Sequence, residues 1–168
     1  GEAIERLKKR ADGDDAIAIN ILGCYYFGGE MGLPQDHEKA MELWLRAGKL
    51  GSAESYYNIA KAYHDGQGVN GDVKKETYYA ELSAMGGYAI ARHNLGCMEV
   101  DSGNYGRAVK HWMIAAGAGK DSSLEAIRKC FMHGDATKDD FEKALRAHQK
   151  AKDEMKSDQR EEAAALRA

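Results

Sequence analysis

Two stretches decide how the chain folds: Lys39-Ala40-Met41-Glu42-Leu43-Trp44-Leu45-Arg46-Ala47-Gly48-Lys49-Leu50-Gly51 and Arg107-Ala108-Val109-Lys110-His111-Trp112-Met113-Ile114-Ala115-Ala116-Gly117-Ala118-Gly119. In both, alanine to tryptophan is four residues, tryptophan to alanine three, and alanine to glycine four. Steps of three and four return to one face of an α-helix, and a glycine closes each run where a helix has to stop.

Working outward, a second motif precedes each of these. Tyr57-Asn58-Ile59-Ala60 aligns with His93-Asn94-Leu95-Gly96 at an offset of 36, and Ile21-Leu22-Gly23 occupies the same place upstream. Residues Leu22, Ile59, Leu95 and Ile127 define one recurring position, here termed the Leu slot. In the fourth copy Ile127 takes that slot, Phe131 the aromatic slot and Lys143-Ala144 the Lys-Ala slot. Each copy therefore reads as two antiparallel helices, A and B. The A helices are expected near 14–27, 53–65, 88–101 and 122–133. The B helices are expected near 36–49, 72–85, 104–118 and from about 138 onward.

The repeats run over about 14–51, 52–87, 88–119 and 121–152 of a single domain, 1–168. A partial helix is expected at 2–11 and a helical tail at 153–168, solvated or frayed after Ser157. Small residues Gly23, Ala60 and Gly96, opposite Ala40 and Ala108, mark where A and B cross closely. Tyr26, Tyr63, Trp44 and Trp112 fill the space beside them. Gly66 and Gly68 reverse the chain between helices, with Val69 or Leu33 tucked back beneath the pair, and Gly51, Gly87 and Gly119 end helices. The third copy lacks the glycine loop: Leu95 to Trp112 is 17 residues, against 22 from Leu22 to Trp44.

Composition narrows the classes. The 168 residues are 43% hydrophobic and 30% charged, ordinary for a folded chain, and 19 glycines stand against one proline. Many glycines with so little proline favour short-linked helices over an antiparallel sandwich. A net charge of −3 provides no general basic surface, so nucleic acid is not an expected partner. No apolar run is long enough to span a bilayer, so no membrane partner is expected. Cys24, Cys97 and Cys130 cannot all pair with one another and show no CxxC spacing, which favours a reducing compartment; the expected location is cytoplasmic.

The series Asn94-Leu95-Gly96, Tyr63-x-x-Gly66-x-Gly68-Val69 and Lys39-Ala40-x-x-x-Trp44-x-x-Ala47-x-x-x-Gly51 resembles the Sel1-like repeat, a relative of the tetratricopeptide repeat with a longer unit and an extended glycine loop. The resemblance implies an all-α, right-handed α-solenoid of antiparallel helix pairs with a long C-terminal helix. It also implies a non-catalytic scaffold or adaptor that binds a peptide or partner protein in a concave groove lined by the A helices. Copy two departs from the pattern with Lys75-Glu76 and with Ala80 in the tryptophan slot, and copy three with Glu99 in the tyrosine slot.

If the register follows the tetratricopeptide fold, the groove residues lie two before, one before and two after each Leu slot. These are Asn20, Ile21 and Cys24; Tyr57, Asn58 and Lys61; His93, Asn94 and Cys97; and Glu125, Ala126 and Lys129. Asn58 and Asn94 are the foremost candidates, because a carboxamide offers both donor and acceptor to a peptide backbone. The same asparagines could instead bond a neighbouring helix, and both readings stay open. Tyr57 and His93 offer flat contact area, and Lys61 and Lys129 offer charge for acidic groups.

Other classes find less support. His93 with Cys97 and Cys130 with His133 have ligand-like helical spacings, but the candidates fall in different repeats, so no metal and no cofactor is expected. A hydrolase reading, by way of a β-lactamase-like branch of the family, is opposed by the absence of Ser-x-x-Lys, a nucleophile elbow and His-Glu-x-x-His. A structural or self-associating module, joined through uncapped repeat ends, is the remaining alternative.

Overall fold

The computed structural model describes residues 1–166. Among these residues the chain is helical throughout its regular structure: α1 (Glu2–Asp12), α2 (Ala16–Gly28), α3 (His37–Lys49), α4 (Ala53–Asp65), α5 (Val73–Met85), α6 (Ala89–Asp101), α7 (Tyr105–Gly117), α8 (Asp121–His133) and α9 (Lys138–Ala165). The all-α class and the alternation of A and B helices follow the spacing of the sequence. The helices pack in pairs and groups, α2 on α3, α4 on α5, and α7 and α8 on α9. The chain divides into two compact units, Gly1–Ala91 and Arg92–Ala168.

Side chains written into the sequence start these helices. The Asp15 carboxylate accepts the N–H groups of Ile17 and Ala18, Asp36 accepts that of Lys39, and Asp72 those of Lys74 and Lys75. At α9 a reciprocal box forms: Thr137 Oγ1 accepts from Asp140 N, and Asp140 Oδ2 accepts from Thr137 N. Each cap satisfies donors that the first helical turn leaves without a partner.

In the first unit Ile19, Leu22, Leu43 and Ala47 form one core with Ala11 and Ala18, and Leu33 folds against it. Ala40, Trp44, Ile59 and Ala62 form a second, against which Val69, Tyr63 and Tyr79 pack. The missing tryptophan of copy two is replaced by a stack: the Tyr79 ring lies parallel to Tyr63 at 5.9 Å, and the Lys75 ammonium stands 5.2 Å over Tyr63. In the second unit Ala108, Val109, Trp112, Ile127, Cys130 and Ala144 form the core, with Phe131 stacked on Phe141 at 5.6 Å beside it. Here Glu99, in the tyrosine slot and mostly covered, meets Arg107 at 2.9 Å and the Asn104 amide at 3.0 Å, tying the short α6–α7 turn that has no glycine loop.

Two glycines are required by packing. A Cβ on Gly23 would stand 2.7 Å from Trp44 Cδ1, and one on Gly96 would stand 2.6 Å from Trp112 Cδ1. Both distances are well inside van der Waals contact, so the indole lies flat on bare backbone. Beyond Ala151 none of the described residues is buried, yet α9 stays helical to Ala165. Its Ala, Glu, Lys and Arg content has high helix propensity, which explains why the tail is solvated without being frayed in the structure.

Asp121, at the first turn of α8, accepts from His148 Nε2 at 2.7 Å and Lys152 Nζ at 2.9 Å on α9. These bonds, that from Lys152 foremost, hold its carboxyl below the usual carboxylate range. A carboxylate depressed in the folded state stabilises the fold above its unfolded pKa, and that stabilisation is lost as pH falls through the folded value. Acidifying below the unperturbed value of 3.8 is therefore expected to loosen α9 from α8, read as faster amide exchange in α9, and Asp121→Asn should remove this acid dependence. Gly96→Ala is expected to destabilise the fold by about 2 kcal/mol, because Trp112 has to move. Gly106→Ala, whose Cβ meets nothing within 4 Å, should stabilise by about 0.5–1 kcal/mol; paired thermal melts check the opposite signs.

Candidate functional site

The A helices α2 and α4 enclose a cleft of about 190 Å³ lined by Cys24, Phe27, Trp44, Asn58, Lys61 and Asp65, with Glu30 at its mouth. Repeat spacing builds it: Cys24 lies two residues after the Leu slot of α2, while Asn58 and Lys61 flank the slot of α4. Trp44 comes up from α3 beneath the bare backbone of Gly23, and Phe27 leans on its ring at 5.0 Å.

Asn58 is tied to Asn20 of α2. The Asn20 side chain is buried, and its Oδ1 accepts both Asn58 Nδ2 at 3.0 Å and Ser55 Oγ at 2.8 Å. Because an amide oxygen only accepts, Ser55 donates there, and the Ser52 hydroxyl, 2.8 Å away, donates to Ser55. The other Asn58 N–H points at Cys24 Sγ, 3.6 Å away. Asn58 has thus spent both donors on the protein, and its Oδ1 is the group left for a ligand.

The indole N–H of Trp44 is buried without an acceptor in hydrogen-bonding geometry. The Cys24 sulfur beside it is a weak acceptor, and burial raises the Cys24 thiol pKa, so it stays protonated. The equivalent Trp112 differs, since its N–H donates to the His93 carbonyl at 3.1 Å. An unmet buried donor of this kind costs roughly 1–3 kcal/mol. At the mouth, Lys61 faces Asp65 at 3.7 Å, so its charge is shared within α4 rather than free for an acidic ligand. With Glu30 the rim is net acidic.

The other sequence candidates lie elsewhere. Tyr57 packs its ring on Tyr88 at 5.2 Å in the first unit. In the second unit His93 Nδ1 lies 2.8 Å from the fully buried Ser123 hydroxyl, and its Nε2 lies 3.7 Å from the exposed Cys97 sulfur. Asn94 is half-buried on the same helix. Lys129 is exposed on α8, where its carbonyl accepts the His133 Nδ1–H at 2.8 Å. Three of the four residues two before the Leu slot thus reach beyond their own helix, Asn20 to Ser55, Tyr57 to Tyr88 and His93 to Ser123, while Glu125 pairs with Arg128 within α8.

Sequence reasoning missed Ser55 and Ser123. Both sit four residues before the Leu slot, where copies one and three carry Ala18 and Ala91, and all four are fully buried. A hydroxyl at an otherwise alanine position was the available signal. Among the described residues no three His, Cys, Asp or Glu side chains converge as a metal site would require, and no helix is long and apolar enough to cross a membrane.

Comparison with known proteins places these features in a family. The Sel1 repeat model matches residues 16–52, 53–88 and 126–154, and copy three, with its short turn and Glu99, falls between the matched segments. The mouse protein cytochrome c oxidase assembly factor 7 is 40% identical over 85 residues, covering 46% of this chain and 36% of that protein. A protective antigen of uropathogenic Escherichia coli, displaying an SLR fold, superposes with a TM-score of 0.74 at 28% identity, over 90% of this chain and 33% of its own. A Sel1 repeat protein from Oxalobacter formigenes gives 0.76 at 25%, over 90% of this chain and 64% of its own. The chain spans about a third of the first two and under two thirds of the last. With its family matches taking in more than half its length and its helix pairs following the same fold, the chain belongs to the Sel1 repeat family.

Proposed function

We propose that the chain is a non-catalytic protein-interaction scaffold and that the α2–α4 cleft holds the backbone of an extended peptide. Sel1 repeat proteins in general serve as interaction scaffolds, and a relative named as an assembly factor supports a protein as partner. The observation that carries the reading is the uncommitted acceptor Asn58 Oδ1 on a cleft whose wall holds the Trp44 indole, its N–H buried with only the weakly accepting Cys24 sulfur beside it and open to a peptide carbonyl once the cleft parts. A peptide bond presents the complementary pair, a carbonyl and an N–H, at every residue whatever its sequence. Asn58 then works as an acceptor, with the indole supplying the donor that the carboxamide has spent on Asn20.

The cleft's size argues in the same direction. At about 190 Å³ it falls below the roughly 300–1,000 Å³ of sites that engulf a small molecule. It suits a short length of main chain crossing the surface. The acidic rim formed by Glu30 and the Lys61–Asp65 pair favours a peptide with a basic side chain next to the anchored bond. In the second unit, Asn94, His93, Cys97 and Lys129 remain the proposed contacts for a partner.

Peptides selected from a random phage-displayed library on the immobilised chain supply the probe. Asn58→Ala is expected to weaken the selected peptide about fivefold to tenfold, and Trp44→Phe, which keeps the ring and removes the N–H, by a similar factor. Circular dichroism confirms that each variant is folded. A peptide that binds both folded variants as tightly as the parent chain sinks the cleft reading.

A further inference from the structure

Cys97, His93 and Ser123 form a connected line of side chains in the second unit, and the contacts among the three serve no purpose in the scaffold reading. Cys97 and His93 lie one helical turn apart on α6, with Sγ 3.7 Å from Nε2. The other ring nitrogen, Nδ1, lies 2.8 Å from the Ser123 hydroxyl, which α8 holds fully buried. The ring is fixed further by its own backbone, whose carbonyl accepts the Trp112 indole N–H, and by the indole face 6.1 Å away. The sulfur at the end of this line is exposed. A solvent-facing thiol, a positioned imidazole and a buried group that orients the imidazole are the parts from which an activated cysteine is assembled.

We propose that Cys97 is a site of thiol–disulfide exchange with low-molecular-weight disulfides, activated by His93 and positioned by Ser123. The ring proton sits on Nδ1 and is donated to Ser123 Oγ, which leaves Nε2 to accept the Cys97 S–H proton. The sulfur attacks one sulfur of the incoming disulfide, the new S–S bond forms as the old one breaks, and the leaving thiolate takes the proton back from Nε2. One thiol and one disulfide give one thiol and one mixed disulfide, with no outside oxidant or reductant. The Trp112 indole also approaches Sγ, and addition to a carbonyl asks in addition for a pocket of donors that holds the oxyanion. Disulfide exchange asks for no such pocket, only an open line of approach.

The surroundings suit a pair that is neutral at rest. Burial first, and then the Lys120 ammonium, lower the His93 pKa, so the imidazole is a free base at neutral pH. Burial, with a smaller push from Asp101, raises the Cys97 thiol. Lys120 precedes α8, Asp101 lies on α6, and Trp112 and Ser123 face the pair from α7 and α8 without charge. Cys24 is a control built into the chain, because it occupies the same slot after Gly23 and beside Trp44. The residue four before it is Asn20, whose amide cannot take a proton.

The test uses the full chain and oxidised glutathione, with mixed-disulfide formation at Cys97 and Cys24 followed by mass spectrometry across pH. A Cys–His pair reacts through its singly protonated form, so the Cys97 rate should stay nearly level through neutrality. Cys24 should instead speed up about tenfold per pH unit, as an unassisted thiol does. Folded His93→Gln is expected to slow Cys97 at neutral pH by about tenfold or more and to give it the same steep profile. Ser123→Ala should slow it by a smaller factor. A steep Cys97 profile in the parent chain overturns the proposal, as does a folded His93→Gln chain reacting at the parent rate. The parent profile decides even if a variant fails to fold.

Discussion

The close approach of an indole to bare glycine backbone is the contact on which the helix pairs of copies one and three depend. Trp44 lies on Gly23 and Trp112 on Gly96, and in both cases a single added carbon would collide with the ring. The contact sets how near helix A and helix B come, and that distance places the residues on either side of the glycine. Cys24 and Cys97 follow the glycine directly, so each thiol is delivered beside an indole. The chemistry available to each thiol then depends on the residue one turn earlier, an amide in one copy and an imidazole in the other.

The fold was legible because its governing signals are local and repeated. Alanine, tryptophan and glycine at steps of four, three and four specify a helix, its buried face and its end without reference to the rest of the chain. The departures were legible only as departures. Ala80 in place of tryptophan announces a gap, but that Tyr79 and Tyr63 close it by stacking depends on two helices meeting, which spacing alone does not encode. Glu99 likewise reads as an error in the pattern until Arg107 is found opposite it.

The candidate site was legible by position and less so by role. Asn58 sits on the cleft, yet its donors are consumed by Asn20 and Cys24, a partnership across 38 and 34 residues that no motif announces. Lys61 is on the rim, but Asp65 one turn later takes up its charge. The unmet indole N–H of Trp44 was invisible because the same residue in copy three is paired, so identical sequence slots carry different hydrogen-bond states. The buried serines escaped notice for a related reason: a hydroxyl in an alanine slot is a small change in volume and a large one in polarity.

Those serines give the array a direction and a period longer than one repeat. Ser55 serves the polar residue of the copy before it, and Ser123 does the same for His93, while the alternate copies carry alanine at the matching place. Copies one and two lock together in this way, as do three and four, and each locking contact falls within one compact unit. The packing module is then a doublet. Removing a single helix pair would strand a buried amide, imidazole or hydroxyl, whereas removing a locked couple would leave the other couple's contact intact.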